Sequence, residues 1–246
     1  MVILRSPMRD VFRRICTFAF IFGALTTAAS GQQLAVGVKG GVPLLDAFEG
    51  PSFVSDLFNQ EHYTFNTKRY TVGPAVDVSL PLKLRFEANA LYTRLDVNHD
   101  SISGSGVNVQ SPITITSTSA TRANSWQFPL LLKKEIPMGR VRPFGDIGYA
   151  LRHVSPTSHT AIMSAGQTLL ISGGGSGSPA LVHTWVNGVV VGGGLAFKSG
   201  RLKFSPEVRY TRWAQPNFRG FGTPFQSNLN QADFLLGIAW SRFPPH

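Results

Sequence analysis

The 246-residue chain is poor in charge, with 15% Asp, Glu, Lys and Arg, and has a single cysteine, Cys16. One cysteine excludes a disulfide scaffold and a cysteine-based zinc site. Only one apolar run exceeds a dozen residues, which excludes a polytopic helical membrane protein. Acidic residues are also few, 13 against 23 Lys and Arg, leaving a formal charge of +10. What the chain has in quantity is glycine (25), phenylalanine (18) and proline (16). Glycine and proline at that level disfavour a helical bundle. Charged content lies below the roughly 25% of an ordinary soluble domain. The basic excess raises nucleic acid as a partner and has to be tested against the rest of the sequence.

The single apolar run sits at the N-terminus. Arg5, Arg9, Arg13 and Arg14 precede Ile15–Ala29, and the small residues Ala28, Ala29, Ser30 and Gly31 follow. This is the plan of a secretory signal peptide, expected over residues 1–31 with cleavage near Gly31–Gln32. Cys16 would leave with it. Cys16 follows Arg14 and Ile15 without a small-residue pair, so a lipoprotein acylation site is not expected. The leader holds four Arg and Asp10, so +7 of the +10 stays with residues 32–246. An exported chain has no cytoplasmic address at which to meet nucleic acid.

Beyond the leader, two-residue alternation replaces any helical period, the mark of strands with one apolar and one polar face. In Lys83–Thr93, Leu84, Phe86, Ala88, Ala90 and Tyr92 share one face, against Lys83, Arg85, Glu87, Asn89 and Thr93. Leu202, Phe204, Pro206, Val208 and Tyr210 likewise oppose Lys203, Ser205, Glu207 and Arg209. Eight such runs are predicted: Gln33–Gly41, Tyr70–Leu80, Lys83–Arg94, Asn124–Glu135, Arg140–Arg152, Thr184–Lys198, Arg201–Arg212 and Gln231–Ser241. Pro74, Pro129, Pro143 and Pro206 fall inside runs and count against ordinary central strands. Gly192–Gly194 suggests a bulge or a close backbone approach.

The connections alternate strictly. Pro81–Leu82, Ile136–Gly139 and Ser199–Gly200 are compatible with tight turns. Val42–Arg69, Leu95–Ala123, His153–His183 and Trp213–Asn230 are long and rich in Ser, Thr, Asn, Gly and Pro, and are read as the long loops of the barrel. Up-and-down threading places all long loops at one end and all turns at the other. The predicted fold is all-β: an eight-stranded antiparallel up-and-down transmembrane β-barrel, an outer-membrane plan with short periplasmic turns.

A narrow eight-stranded barrel is filled by its own side chains. Inward-facing Lys39, Asp77, Lys83, Arg85, Glu87, Lys133, Arg142, Asp146, Glu207, Arg209 and Asp233 are expected to form a paired charge network that plugs the lumen. Aromatic residues are expected at the two lipid–water interfaces. Tyr70, Tyr92, Trp126, Tyr149, Trp185 and Tyr210 thread to the loop end, and Phe86, Phe197, Phe204 and Trp240 to the turn end. Lys133, Lys134, Arg140, Lys198 and Arg201 fall near the turns. Arg152, Arg212 and Arg219 are placed in a basic girdle at the loop end, with lipopolysaccharide phosphates as natural partners.

These residues resemble the eight-stranded outer-membrane barrel proteins of Gram-negative bacteria, broadly the OmpA/OmpX-like barrels. The likeness is carried by Gln32–Phe48, Val141–Val154, Phe204–Trp213 and Gln231–Trp240. It implies an outer-membrane location, insertion by the barrel-assembly machinery, a monomer, no cofactor, and a structural or interaction role with an extracellular ligand held by the loops. One departure stands out: such barrels end on an aromatic residue, whereas here Phe243 is followed by Pro244, Pro245 and His246. A small pore or a lipid A-modifying enzyme is the alternative. His153-Val154-Ser155 is similar to the His-x-Ser of lipid A deacylase barrels, but no acid occurs between Asp146 and Glu207 to orient the histidine. No enzyme activity is therefore expected. The other histidines, His62, His99, His159, His183 and His246, lack paired metal-ligand spacing.

Overall fold

A computed structural model describes residues 34–49, 53–55, 59–65, 70–105, 113–164, 167–171, 180–219 and 226–241. The leader, the side chain of Lys83 and the terminal segment with Phe243 lie outside the described residues. Eight long strands form the frame: β1 (Leu34–Pro43), β2 (Thr71–Ser79), β3 (Leu84–Asn89, resuming as Leu91–Ser105), β4 (Ile113–Glu135), β5 (Val141–Ser164), β6 (Trp185–Ser199), β7 (Leu202–Trp213) and β8 (Asn230–Ser241). Each pairs antiparallel with its sequence neighbours, and β1 closes the ring against β8 with Val38 opposite Ile238. Closure leaves no sheet edge within the barrel wall.

Alternation becomes inside and outside. On β6, Val189 is 59% exposed while the next residue, Val190, is fully buried. On β8, Phe234, Leu236 and Ile238 are exposed around a fully buried Leu235. Large aliphatic and aromatic side chains cover the exterior, and Lys39, Asp77, Glu87, Lys133, Glu207 and Arg209 of the same strands are buried inside. That is an inside-out arrangement relative to a water-soluble barrel, and it calls for lipid on the outer face.

The prolines mark where the ladders pause. Between Ala88↔Leu130 and Leu91↔Gln127 the β3–β4 register is interrupted, and Pro129 lies in that gap. On the other side of β3, the Ala90 amide donates to the Pro74 carbonyl (3.0 Å) where the β2 ladder switches from Leu84–Asn89 to Leu91–Ser105. The β6–β7 ladder pauses between Gly194↔Glu207 and Phe197↔Phe204, at Pro206. A residue without an N–H fits a strand where its partner bond is already missing. Gly192–Gly194 forms no bulge, since β6 stays in unbroken register with β5 from Trp185↔His153 to Phe197↔Val141. Close approach is the reason for these glycines: a Cβ on Gly194 would fall 2.2 Å from the Pro206 carbonyl oxygen.

Each short turn carries one left-handed residue: Leu82 (φ 63°), Gly139 (φ 66°) and Gly200 (φ 59°). At the other end the long connections carry strand structure beyond the expected strand ends. β3, β4 and β5 run on as a continuous sheet, with Ser105 opposite Ile113 and Ile115 opposite Ser164. Asn59–Phe65 and Phe53–Ser55 add to one side of this blade and Gln167–Ile171 to the other. The stretch ITITSTSATRA (Ile113–Ala123) is rich in β-branched Thr and Ile, which favour strands even where no face is apolar. Four two-residue strands, Phe48–Glu49, Ala180–Leu181, Phe218–Arg219 and Gln226–Ser227, form a separate small sheet from the remaining loop segments.

Candidate functional site: the charged lumen and its roof

Parity decides what enters the lumen. On β4, Lys133 and Glu135 share a face with Leu131 and Gln127. On β5, Asp146 shares one with Phe144, Ala150 and Arg152. The central layer holds three cations and three carboxylates from five strands. Lys39 donates to Glu87 Oε1 and to Glu207 Oε2, both at 2.6 Å. Lys133 Nζ lies 2.7 Å from Glu207 Oε2, 2.9 Å from Glu87 Oε2 and 3.6 Å from Asp146 Oδ2. Arg209 reaches Glu207 Oε1 through Nε (2.8 Å) and Glu87 Oε1 through Nη2 (3.3 Å). Phe144 packs beneath the Lys133 ammonium at 4.4 Å. Sharing each carboxylate among several cations offsets the desolvation of a buried ion pair, which an isolated pair often fails to recover.

A second layer lies nearer the turns. Arg85 Nη2 donates to Asp77 Oδ2 at 3.1 Å, and Arg85 Nε is 3.5 Å from Glu135 Oε1. Lys203 bridges the same two acids, at 3.3 Å from Asp77 and 2.7 Å from Glu135. Arg142, partly exposed, lies 3.9 Å from Glu135. Glu135 and Lys203 were not among the expected network residues. Both share parity with a member, Lys133 on β4 and Glu207 on β7, and parity would have found them.

Above the central layer the chemistry changes. Asp233 accepts from Gln231 Nε2 at 2.8 Å and has no cation within 4 Å among the described residues. Gln127 and Gln231 exchange amide hydrogen bonds across the lumen (3.3 and 3.2 Å), and Trp213 Nε1 donates to Gln231 Oε1 at 3.0 Å. Arg152, expected in an outer girdle, is instead buried inside. Its even position on β5 follows Asp146, Gly148 and Ala150 inward, and its guanidinium lies 4.2 Å from the Trp213 ring centre. Strand β5 continues past Arg152, so the residue is no strand end. Phe48 and Phe218 (ring centres 6.0 Å apart) close over this level with Leu95, Val97, Ala123 and Val154 as an apolar roof.

The outer wall carries an aromatic row at the same height. Tyr92↔Trp126, Trp126↔His153 and His153↔Trp185 are successive cross-strand pairs. The Tyr92 and Trp126 rings lie 5.2 Å apart, and Trp185 stacks on His153 at 4.4 Å. Tyr92 and Tyr210 hydroxyls donate to Asn124 (2.7 Å) and Asn230 (2.6 Å). Tyr149 accepts from Asn187 at 2.5 Å. Amphipathic rings with polar tips suit a membrane–water interface. Trp240 is exposed at the opposite end, paired with Val36 and Leu202. The chain is a β-barrel of the outer-membrane type.

No protein-family model matches this chain, and no curated protein sequence does either. Among solved structures it is similar to the outer membrane protein OprG from Pseudomonas aeruginosa: 13% identity, TM-score 0.44, covering 85% of this chain and 94% of that one. Neisserial surface protein A shares 12% identity at TM-score 0.35 over 85% and 94% of the two chains. Ail of Yersinia pestis shares 9% identity at TM-score 0.34 over 85% and 97%. The barrel assignment rests on this chain's own ladders and exterior.

His153 and Ser155 do meet on the outer wall, with Nε2 and Oγ 3.1 Å apart. His153 Nδ1, where an orienting carboxylate would bind, has no hydrogen-bond partner among the described residues. Among the described residues this His–Ser pair lacks the carboxylate that fixes the imidazole tautomer in a nucleophilic triad. Among the described residues no group of three His, Cys, Asp or Glu is placed to hold a metal ion.

Proposed function

We propose that this chain is a monomeric barrel of the Gram-negative outer membrane, non-enzymatic, with a lumen closed to ions and any partner bound at its loop end. The observation that supports it most is the central charge layer, where Lys39, Lys133 and Arg209 share Glu87 and Glu207 at hydrogen-bonding distance across the full width of the lumen. An ion entering a lumen so filled would have to break several of these contacts at once. Lipopolysaccharide is the natural lipid partner: Arg94 and Arg122 face outward just above the aromatic row, beside Tyr92 and Trp126. Delivery depends on the cell's barrel-insertion machinery.

Planar-bilayer recording of the purified, heat-modifiable barrel tests the closed lumen. A silent bilayer is expected, and steady unitary conductance would overturn it. Expression in a Gram-negative host should leave lipid A mass unchanged. A mass change abolished by His153→Ala would instead establish the enzyme. Recovery of the chain in the soluble periplasm would sink the membrane assignment altogether.

A further inference from the structure

Below the apolar roof lies a cavity of about 40 Å³, lined by Thr71, Thr93, Ser125, Gln127 and Arg152 among others. A single water needs roughly 10–15 Å³ on this scale, so the space suits an occupant of about three heavy atoms. Arg152 is only 8% exposed, and its Nε and Nη2 hydrogens have no partner among the described residues. These two N–H groups form one edge of the guanidinium fork, the edge that grips a carboxylate with two parallel hydrogen bonds. The face of the same group is taken by Trp213. No carboxylate lies within 4 Å of Arg152 among the described residues, in contrast to every lysine and arginine of the layers below. Leaving charged donors buried and unpaired costs several kcal/mol in general, which an oxyanion in the cavity would recover.

We infer that this cavity is a binding site for a small monocarboxylate, gripped edge-on by Arg152. The lining suits such an occupant. The Thr71 and Thr93 hydroxyls share one hydrogen bond (2.8 Å), so one of their two protons remains free to donate to the occupant. Ser125 adds a third hydroxyl. The one lining carboxylate, Asp46, is on the exposed roof side, where water screens it. Phe218 of the roof lines the site, and the exposed Leu45 and Asp46 form its outer side.

The test uses the full barrel, arginine-labelled with ¹⁵N and refolded in detergent micelles, with heat-modifiable migration as the check that it is folded. Sodium formate should shift the Arg152 Nε–H resonance saturably, whereas sodium chloride at equal ionic strength should not. Arg152→Lys loses the two-pronged edge and should weaken formate binding at least tenfold, read by competition or calorimetry. Should that variant fail to fold, Ser125→Ala, which keeps the guanidinium, should weaken it about threefold. Equal responses to formate and chloride, or no saturable response in a folded barrel, would mean that the cavity holds water only and would overturn the site. Loss of heat-modifiability in the parent protein would instead count against the barrel reading itself.

Discussion

The two halves of the lumen handle buried charge in opposite ways. Towards the turns, Lys39, Arg85, Lys133, Lys203 and Arg209 each have a carboxylate at 3.3 Å or closer. Towards the loops, Arg152 is just as buried but has an aromatic face, an open cavity and, beyond ion-pair distance, Asp233. The lower half behaves as a closed ionic solid whose parts depend on one another. The upper half keeps a charge in reserve beneath a lid assembled from two-residue strands. Rigidity and latent binding capacity are thus segregated along one axis.

The largest expected effect breaks the lower half. Glu207→Leu leaves Lys39, Lys133 and Arg209 to share Glu87, with only Asp146 besides, and should cost about 3–5 kcal/mol, measured by urea unfolding of the refolded barrel. Phe218→Ala strips the roof. Because the small sheet can open without the barrel, its cost should be about 2 kcal/mol, below that of a sealed core, and seen as faster amide exchange around Phe48 and Ser227. At the turns, Leu82→Gly relieves a left-handed leucine and should stabilise by about 1 kcal/mol, while Gly200→Ala should do the reverse. The smallest effect lies in the upper half: Arg152→Met removes a cation that no carboxylate touches among the described residues, Asp233 acting on it from beyond ion-pair distance. Relief of the buried charge offsets the lost cation–π contact of about 1 kcal/mol, so stability should be unchanged or slightly raised. A loss as large as that of Glu207→Leu would erase the contrast between the halves.

Much of the lower half was legible because period-two patterning reports directly on which face meets lipid. Arg85, Glu87, Glu207 and Arg209 alternate with Phe86, Ala88, Val208 and Tyr210, and no other register satisfies both solvents. Arg152 was misplaced for a related reason. The expected strand stopped there, so its parity went unused, although it continues the row Asp146, Gly148, Ala150. The extended blade was hidden because the alternation of Ile113 and Ile115 with Thr114 and Thr116 lapses at Ser117 and Ser119 and is too short to read. The roof was not legible at all. Phe48, Leu181 and Phe218 come from separate loops, and only the closed barrel brings them over a common mouth.

The long strand β5 also makes the molecule a lever. Its 24 residues form one continuous run, about 80 Å along the chain at roughly 3.3 Å per residue. From His153 at the aromatic row to Ser164 the strand extends some 36 Å beyond the interface, hydrogen-bonded to β4 over the whole distance. A flexible loop would dissipate a tug at its tip. Here the same backbone that meets the outside also carries Asp146, and its partner β4 carries Lys133 and Glu135. A pull on the blade would therefore act on the two strands that supply Lys133, Glu135 and Asp146 to the ionic layers.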